Sequence, residues 1–355
     1  MNKFQTEIVK QVNLTLIKQW TDLWQKAENA NIFNSYEWFL TCQKTYGIKE
    51  YEIYVCHKEK DLVAILPLFF TRCFGIKVAS SIGNKHVVGT PFLVEKYDKE
   101  LLKSFFSKIS SKRNLHITKI DSRAVEILHN SFPGMFFSLI SVNPYIDFSE
   151  DPLKSISKST LSKIKIILRK NSGQFSFKTY EGGNNLLEHL KTMFAIDQKS
   201  GKQRHSKDIF SNKEERDFYT NIVKYCQRFV QLCFLYYENT PIAYSFNFKN
   251  RKIYVGYQTS YLLERRKLSP GKVMIIYMLE KLKKDSADLL DLCGGISYYK
   301  QEFTLKYYFQ HNLYYSKSFL VMKWWKLINL ARRIKQIVFP EKFTRDHEFL
   351  FKTLS

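Results

Sequence analysis

Three runs rich in aromatic and β-branched residues, 229–237, 241–249 and 252–258, follow one another with only Glu238-Asn239-Thr240 and Asn250-Arg251 between them. Linkers that short leave room for a chain reversal and nothing more, so the runs must lie side by side as an antiparallel meander. Ser269-Pro270 then marks a helix start, because proline in the first turn gives up an N–H that has no intrahelical partner. Val273, Ile276, Tyr277, Met278 and Leu282 supply that helix with an apolar side, and a short strand over 288–293 ends at Gly294-Gly295. Meander, helix and strand in this order predict an α/β domain in the second half of the chain.

The first half repeats the alternation. Leu14, Ile17, Leu23, Trp24 and Ala27 recur at helical spacing over 13–29. A second helix starts at Asn34 or Ser35 as N-cap and stops at Gly47. Residues 51–57 and 62–70 flank a charged turn and read as a hairpin, 80–83 and 89–92 as short strands and turns, 99–110 as a helix, and 117–121 as a strand. The pattern breaks at 149–152, before a basic helix over 161–170. The domains expected are therefore 1–148, 149–317 and a helical tail, 318–355. A chain of 355 residues, 45% of them hydrophobic, can fill two cores.

Composition narrows the function classes. With 13 glycines, 8 prolines and 16% aromatics the chain has the makeup of a folded protein rather than a disordered one. Lys3, Glu7, Lys10 and Lys18 interrupt the first twenty residues where a signal peptide needs an apolar core. No run approaches the ~20 apolar residues of a membrane span. The six cysteines never form a close CxxC pair, which argues for scattered reduced thiols rather than a metal centre, and a cytoplasmic location is expected. A net charge of +23 makes nucleic acid, anionic lipid or a phosphorylated cofactor plausible partners, with lysine-rich genome bias the competing explanation.

The turn Arg266-Lys267-Leu268-Ser269-Pro270-Gly271-Lys272 joins the meander to its helix. A helix start presents unpaired N–H groups and a positive dipole end, Gly271 lets backbone approach a phosphate, and Arg265, Arg266, Lys267 and Lys272 add positive charge. Such a turn is also common as solvated surface. The order of the second half resembles the GNAT acyltransferase fold, in which an Arg/Gln-x-x-Gly-x-Gly/Ala turn holds the coenzyme A pyrophosphate. Arg266, Ser269 and Gly271 fall on its positions, with Ser269 standing where that pattern prefers glycine. "PIAYSFNF" from Pro241, "YVGYQTSYLLERRKLSPGKVMI" from Tyr254 and "LLDLCGGISYYKQEF" from Leu289 are similar to the bacterial cellulose-biosynthesis-type acetyltransferases, a GNAT branch related to the FemABX transferases. "IFNSYEWFLTCQKTYG" from Ile32 and "SKSTLSKIKIILRKNSG" from Ser157 extend the resemblance over most of 13–317.

That resemblance implies tandem GNAT-like α/β domains, each a mixed, mostly antiparallel sheet flanked by helices, and direct acyl transfer from a thioester to an amine. The thioester would be acyl-CoA, acetyl-CoA foremost, or an acyl carrier protein conjugate, held by Arg266, Ser269, Gly271 and Lys272. Backbone around Tyr257 and Gln258 would take the oxyanion. Asp291, Tyr299, Lys300 and Glu302 are the candidate base or proton relay; the competing reading makes Asp291 a turn cap and Lys300 a structural ion-pair partner. His189, Asp197 and His205 are further options. The acceptor would be an amine on an amino sugar, lipid or cell-envelope precursor in polysaccharide biosynthesis. A FemX-like transferase using aminoacyl-tRNA and a non-catalytic accessory protein are the alternatives. Residues 318–339 place Leu320, Trp324, Leu327, Ile328, Ala331, Ile334 and Val338 along one side of a basic helix, which either packs across the domains or lies on an anionic membrane surface.

Overall fold

The computed structural model describes residues 3–83, 86–183, 185–201, 209–295 and 297–338. They divide into two compact units, 3–142 with 308–338, and 143–307.

The first unit opens with strand β1 (Gln5–Val9), helix α1 (Leu14–Lys26) and helix α2 (Tyr36–Tyr46). Asn13 caps α1 by accepting from the Leu16 N–H at 2.8 Å, and Ser35, rather than Asn34, caps α2. Gly47, in the left-handed region at φ 58°, ends α2 as a residue without Cβ can. Trp20 of α1 is fully buried and donates its indole N–H to the Asn34 carbonyl at 2.9 Å. Then come β2 (Tyr51–Lys58), β3 (Asp61–Cys73), β4 (Ile76–Ser81), the short β5 (Leu93–Val94), α3 (Lys99–Lys112), β6 (Asn114–Asp121) and α4 (Ser122–Ser131). The strands β1, β2, β3 and β4 are successive antiparallel neighbours, and β6 joins β4 in parallel. Asp98 caps α3, its carboxylate accepting from the Leu101 N–H at 2.8 Å. Phe105 and Phe106 of α3 pack on the sheet with Tyr54, Leu66 and Ile117.

The chain passes to the second unit within β7 (Phe136–Asp147) and returns at the start of β13 (Tyr307–Tyr315), followed by α10 (Phe319–Val338). The expectation that 149–317 forms one domain is corrected here: from Tyr308 onward the strand belongs with the first unit, because it pairs antiparallel with β6.

The second unit contains α5 (Lys158–Lys170), β8 (Phe175–Glu181), α6 (Leu186–Gln198), α7 (Lys213–Tyr225), β9 (Val230–Tyr237), β10 (Thr240–Asn250), β11 (Ile253–Tyr261), α8 (Pro270–Lys284), β12 (Leu289–Asp291) and the one-turn α9 (Tyr298–Gln301). Strands β8, β9, β10 and β11 are antiparallel neighbours, and β12 joins β11 in parallel. Both units thus share one plan: an antiparallel meander, a helix, and a strand returning parallel to the meander's last strand. The fold is α/β with tandem GNAT-like units.

Candidate functional site

The site begins where two strands part. Strand β12 pairs with β11 only from Ile253↔Leu289 to Val255↔Asp291, while β11 continues to Tyr261. At that point β11 also bulges against β10: Phe246 faces Gln258 and Asn247 faces Gly256, which leaves Tyr257 as the extra residue. A bulge sharpens local twist and re-aims backbone groups. Gly256 sits at the fork, where a Cβ would lie 3.3 Å from the Asp291 carbonyl oxygen, so the strands can approach this closely only without a side chain.

Beyond β11 a short 3-10 segment, Leu263–Leu268, leads into α8. Ser269 adopts a left-handed backbone, φ 49°, which accounts for the preference for glycine at this position of the turn. Its carbonyl accepts from the N–H groups of Lys272 and Val273, and no side chain caps the helix among the described residues. The positive end of the α8 dipole is therefore free of a competing carboxylate cap. Arg266 and Lys267 are exposed beside it. Arg265 instead lies over the Tyr237 ring.

The segment after β12 folds onto this turn. Asp291, buried, accepts from the Cys293 N–H at 2.7 Å. The Lys300 ammonium donates to three carbonyls, Cys293 at 2.8 Å, Gly294 at 2.9 Å and Gly295 at 3.1 Å, which occupies all three of its hydrogens. Tyr299 donates its phenol to the Gly271 carbonyl at 3.0 Å. Burial first, and then the charge of Glu302, push that phenol well above its ordinary pKa, so it stays protonated. Glu302 in turn pairs with Lys272, 2.6 Å from ammonium to carboxylate. Residues expected to bind the cofactor and residues expected to do the chemistry are thus tied together twice, Tyr299 to Gly271 and Glu302 to Lys272.

Gln258 points elsewhere: its side chain hydrogen-bonds the buried Tyr244 phenol, which donates to Asp197 at 2.7 Å. Tyr257 packs on Phe248, ring centroids 4.7 Å apart, and Phe246, Phe248 and Tyr254 are core residues. His189 packs its ring, tilted, against Tyr180 of β8, at the far edge of the strand order from β12. His205 lies outside the described residues.

Two features escaped the sequence reading. Tyr261 packs its ring 3.7 Å from where a Cβ on Gly271 would sit. A polar row, buried at Ser245, Asn247 and Gln231 and ending at exposed Glu181, also crosses the sheet: Asn247 donates to Gln231, Gln231 to Glu181, and Ser245 to Asn247, at 3.2, 2.7 and 2.7 Å. The alternation of Ser245 and Asn247 with aromatics in "YSFNF" is the signal that marks it.

Residues 163–301 match the family model of the acetyltransferase (GNAT) domain. The match spans the meander, the α8 turn and the Tyr299-Lys300 pair, so the second unit holds a GNAT acetyltransferase domain, which supports an N-acyltransferase. No curated protein matches the sequence. Among solved structures the fold is similar to FemX, with a TM-score of 0.64 at 9% identity over 91% of this chain and 100% of that one. It is also similar to the C-terminal domain of a putative lysylphosphatidylglycerol synthetase from Agrobacterium fabrum, TM-score 0.57 at 8% identity over 89% and 95%. A conserved protein of unknown function from Bacteroides thetaiotaomicron gives 0.59 at 10% identity over 88% and 100%.

Proposed function

We propose that this N-acyltransferase moves an acyl group, acetyl foremost, from coenzyme A to an amine on an amino sugar, a lipid or a cell-envelope precursor. The observation that carries the reading is the fork between β11 and β12, which opens at a bulge and leads into an uncapped helix N-terminus flanked by exposed Arg266 and Lys267. The fork suits an extended thioester arm, and the helix end suits its diphosphate.

In the reaction the amine nitrogen forms a bond to the thioester carbonyl carbon, the C–S bond breaks, the nitrogen loses a proton and the thiolate gains one. Backbone N–H groups at the Tyr257 bulge are the candidates for the oxyanion. Tyr299, held protonated, is the candidate acid for the thiolate, and Asp291 the candidate acceptor of the amine proton. Lys300 acts as a positioning residue, because an ammonium bound to three carbonyls has no lone pair to accept with. Glu302 orients Lys272 toward the helix start.

A FemX-like reading, with aminoacyl-tRNA as the donor substrate, draws on a second observation. Pro270 removes one N–H from the diphosphate turn, and Glu302 offsets the charge of Lys272. Thermal unfolding with acetyl-CoA, a long-chain acyl-CoA, coenzyme A and ATP in parallel separates the two. A ligand at 100 times its Kd stabilises by about 2.7 kcal/mol. A shift with coenzyme A and a thioester but not with ATP supports the proposal. Absence of any coenzyme A shift, together with salt-dependent tRNA binding, replaces it with the second reading.

A further inference from the structure

Helix α10 buries one side and leaves a different one bare. Val321 and Trp325 join Val78 and Tyr314 in a small core of the first unit, and Asn329 accepts from the Ser138 hydroxyl at 2.8 Å. On the opposite side Leu320, Trp324, Leu327, Ala331 and Ile334 recur at intervals of four and three residues, and all are exposed, Leu320 by 72% and Leu327 by 55%. Phe74, at the tip of the β3–β4 hairpin, extends this stripe. It is 66% exposed and meets Trp324 edge to face at 5.1 Å. Phe74 holds a left-handed backbone, φ 48°, a costly conformation for a residue with a bulky side chain.

Charge identifies what the stripe faces. The α10 sequence, FLVMKWWKLINLARRIKQIV, carries five cations and no carboxylate, and its Lys323, Lys326 and Arg332 are exposed. Two copies meeting on this face would oppose cation to cation with no acid on the helix to offset them. None of the described helices is long and apolar enough to cross a membrane. An apolar stripe with a tryptophan in it and lysines at its margin suits a helix lying in the headgroup layer, its apolar side about 5–10 Å deep.

We propose that α10 and the Phe74 hairpin tip together dock the protein on an anionic phospholipid surface. The stripe enters the acyl boundary, and the cations meet lipid phosphates. This docking face is independent of the donor substrate used by the second unit.

The test is flotation of the full-length protein with phosphatidylcholine vesicles, with and without 30 mole per cent phosphatidylglycerol. Wild type should float with the anionic vesicles and bind pure phosphatidylcholine at least about tenfold less, and high salt should weaken binding. Leu327→Asp should abolish flotation. Phe74→Gly, which relieves the backbone strain and so keeps the fold, should weaken flotation severalfold without lowering Tm. Failure of the wild type to float overturns the proposal. So does a wild-type dimer that Leu327→Asp converts to monomer while vesicle binding persists, since the stripe would then belong to a second copy.

Discussion

Replacing Tyr299 with phenylalanine separates the chemistry assigned to this residue from its structural work. Among the described residues the phenol makes one hydrogen bond, to the Gly271 carbonyl at 3.0 Å. Its loss should cost about 0.5–1.5 kcal/mol of stability, since a carbonyl in the first turn of α8 keeps its helical partner. If the same phenol protonates the departing thiolate, kcat should fall by about 10²–10⁴, the usual range for removing a positioned acid. That range corresponds to roughly 3–5 kcal/mol in the transition state, well beyond the structural loss. The pH profile carries a separate signature. Because burial and then the charge of Glu302 hold the phenol's pKa well above its ordinary value, Tyr299 should stay protonated throughout the assay range and contribute no alkaline limb to the wild-type profile. Steady-state kinetics from pH 6 to 10, with urea unfolding of both proteins, make the comparison. A fall in kcat of fivefold or less would refute the assignment and leave Tyr299 as a strut between α9 and α8.

Gly271→Asp should raise the Kd for coenzyme A by at least about tenfold while leaving Tm nearly unchanged. A Cβ there meets Tyr299 and Tyr261 at 3.6–3.8 Å, ordinary contact, and an acidic residue in the first helical turn is itself favourable; calorimetric titration reads the affinity. Lys300→Met should lower stability by about 1–3 kcal/mol, because three carbonyls lose a charged partner. It should also reduce kcat without moving the pH optimum, whereas an optimum that shifts would show Lys300 titrating in the reaction. Burial pushes Glu52 up, but hydrogen bonds and charge from Arg113 outweigh it and hold the carboxyl below its ordinary range. The pair's stabilisation is then present above the free glutamate pKa and lost as pH falls through the lowered one. Glu52→Gln should accordingly cost more stability at pH 7 than at pH 3, as denaturant midpoints at the two values will show.

The local signals in the sequence translate directly into structure. Ser35 and Gly47 bound α2, the charged turn splits β2 from β3, and the meander and the Pro270 helix start lie where spacing puts them. Strands β7 and β13 were illegible for a physical reason. Strand β13 buries Gln310 and Asn312, whose amide groups donate to the Val88 carbonyl and to the hydroxyl of Tyr314 on the same strand, so its hydrophobic alternation is broken by buried polar residues. Asn143-Pro144 breaks β7 in the same way to the eye. The site was legible as a polar neighbourhood around Tyr299, Lys300 and Glu302. Its wiring was not, because the Tyr299 to Gly271 and Glu302 to Lys272 ties join residues far apart in the chain.

The repeated plan of the two units has an unequal outcome at corresponding places. In the first unit, the helix between the meander and the parallel strand is α3, and Asp98 closes its N-terminus with a carboxylate. The corresponding end of α8 is left open. An anion approaching α3 would meet a negative charge already seated there, so of these two corresponding helix ends only that of α8 is open to one among the described residues. Each chain should accordingly carry a single equivalent of coenzyme A at saturation.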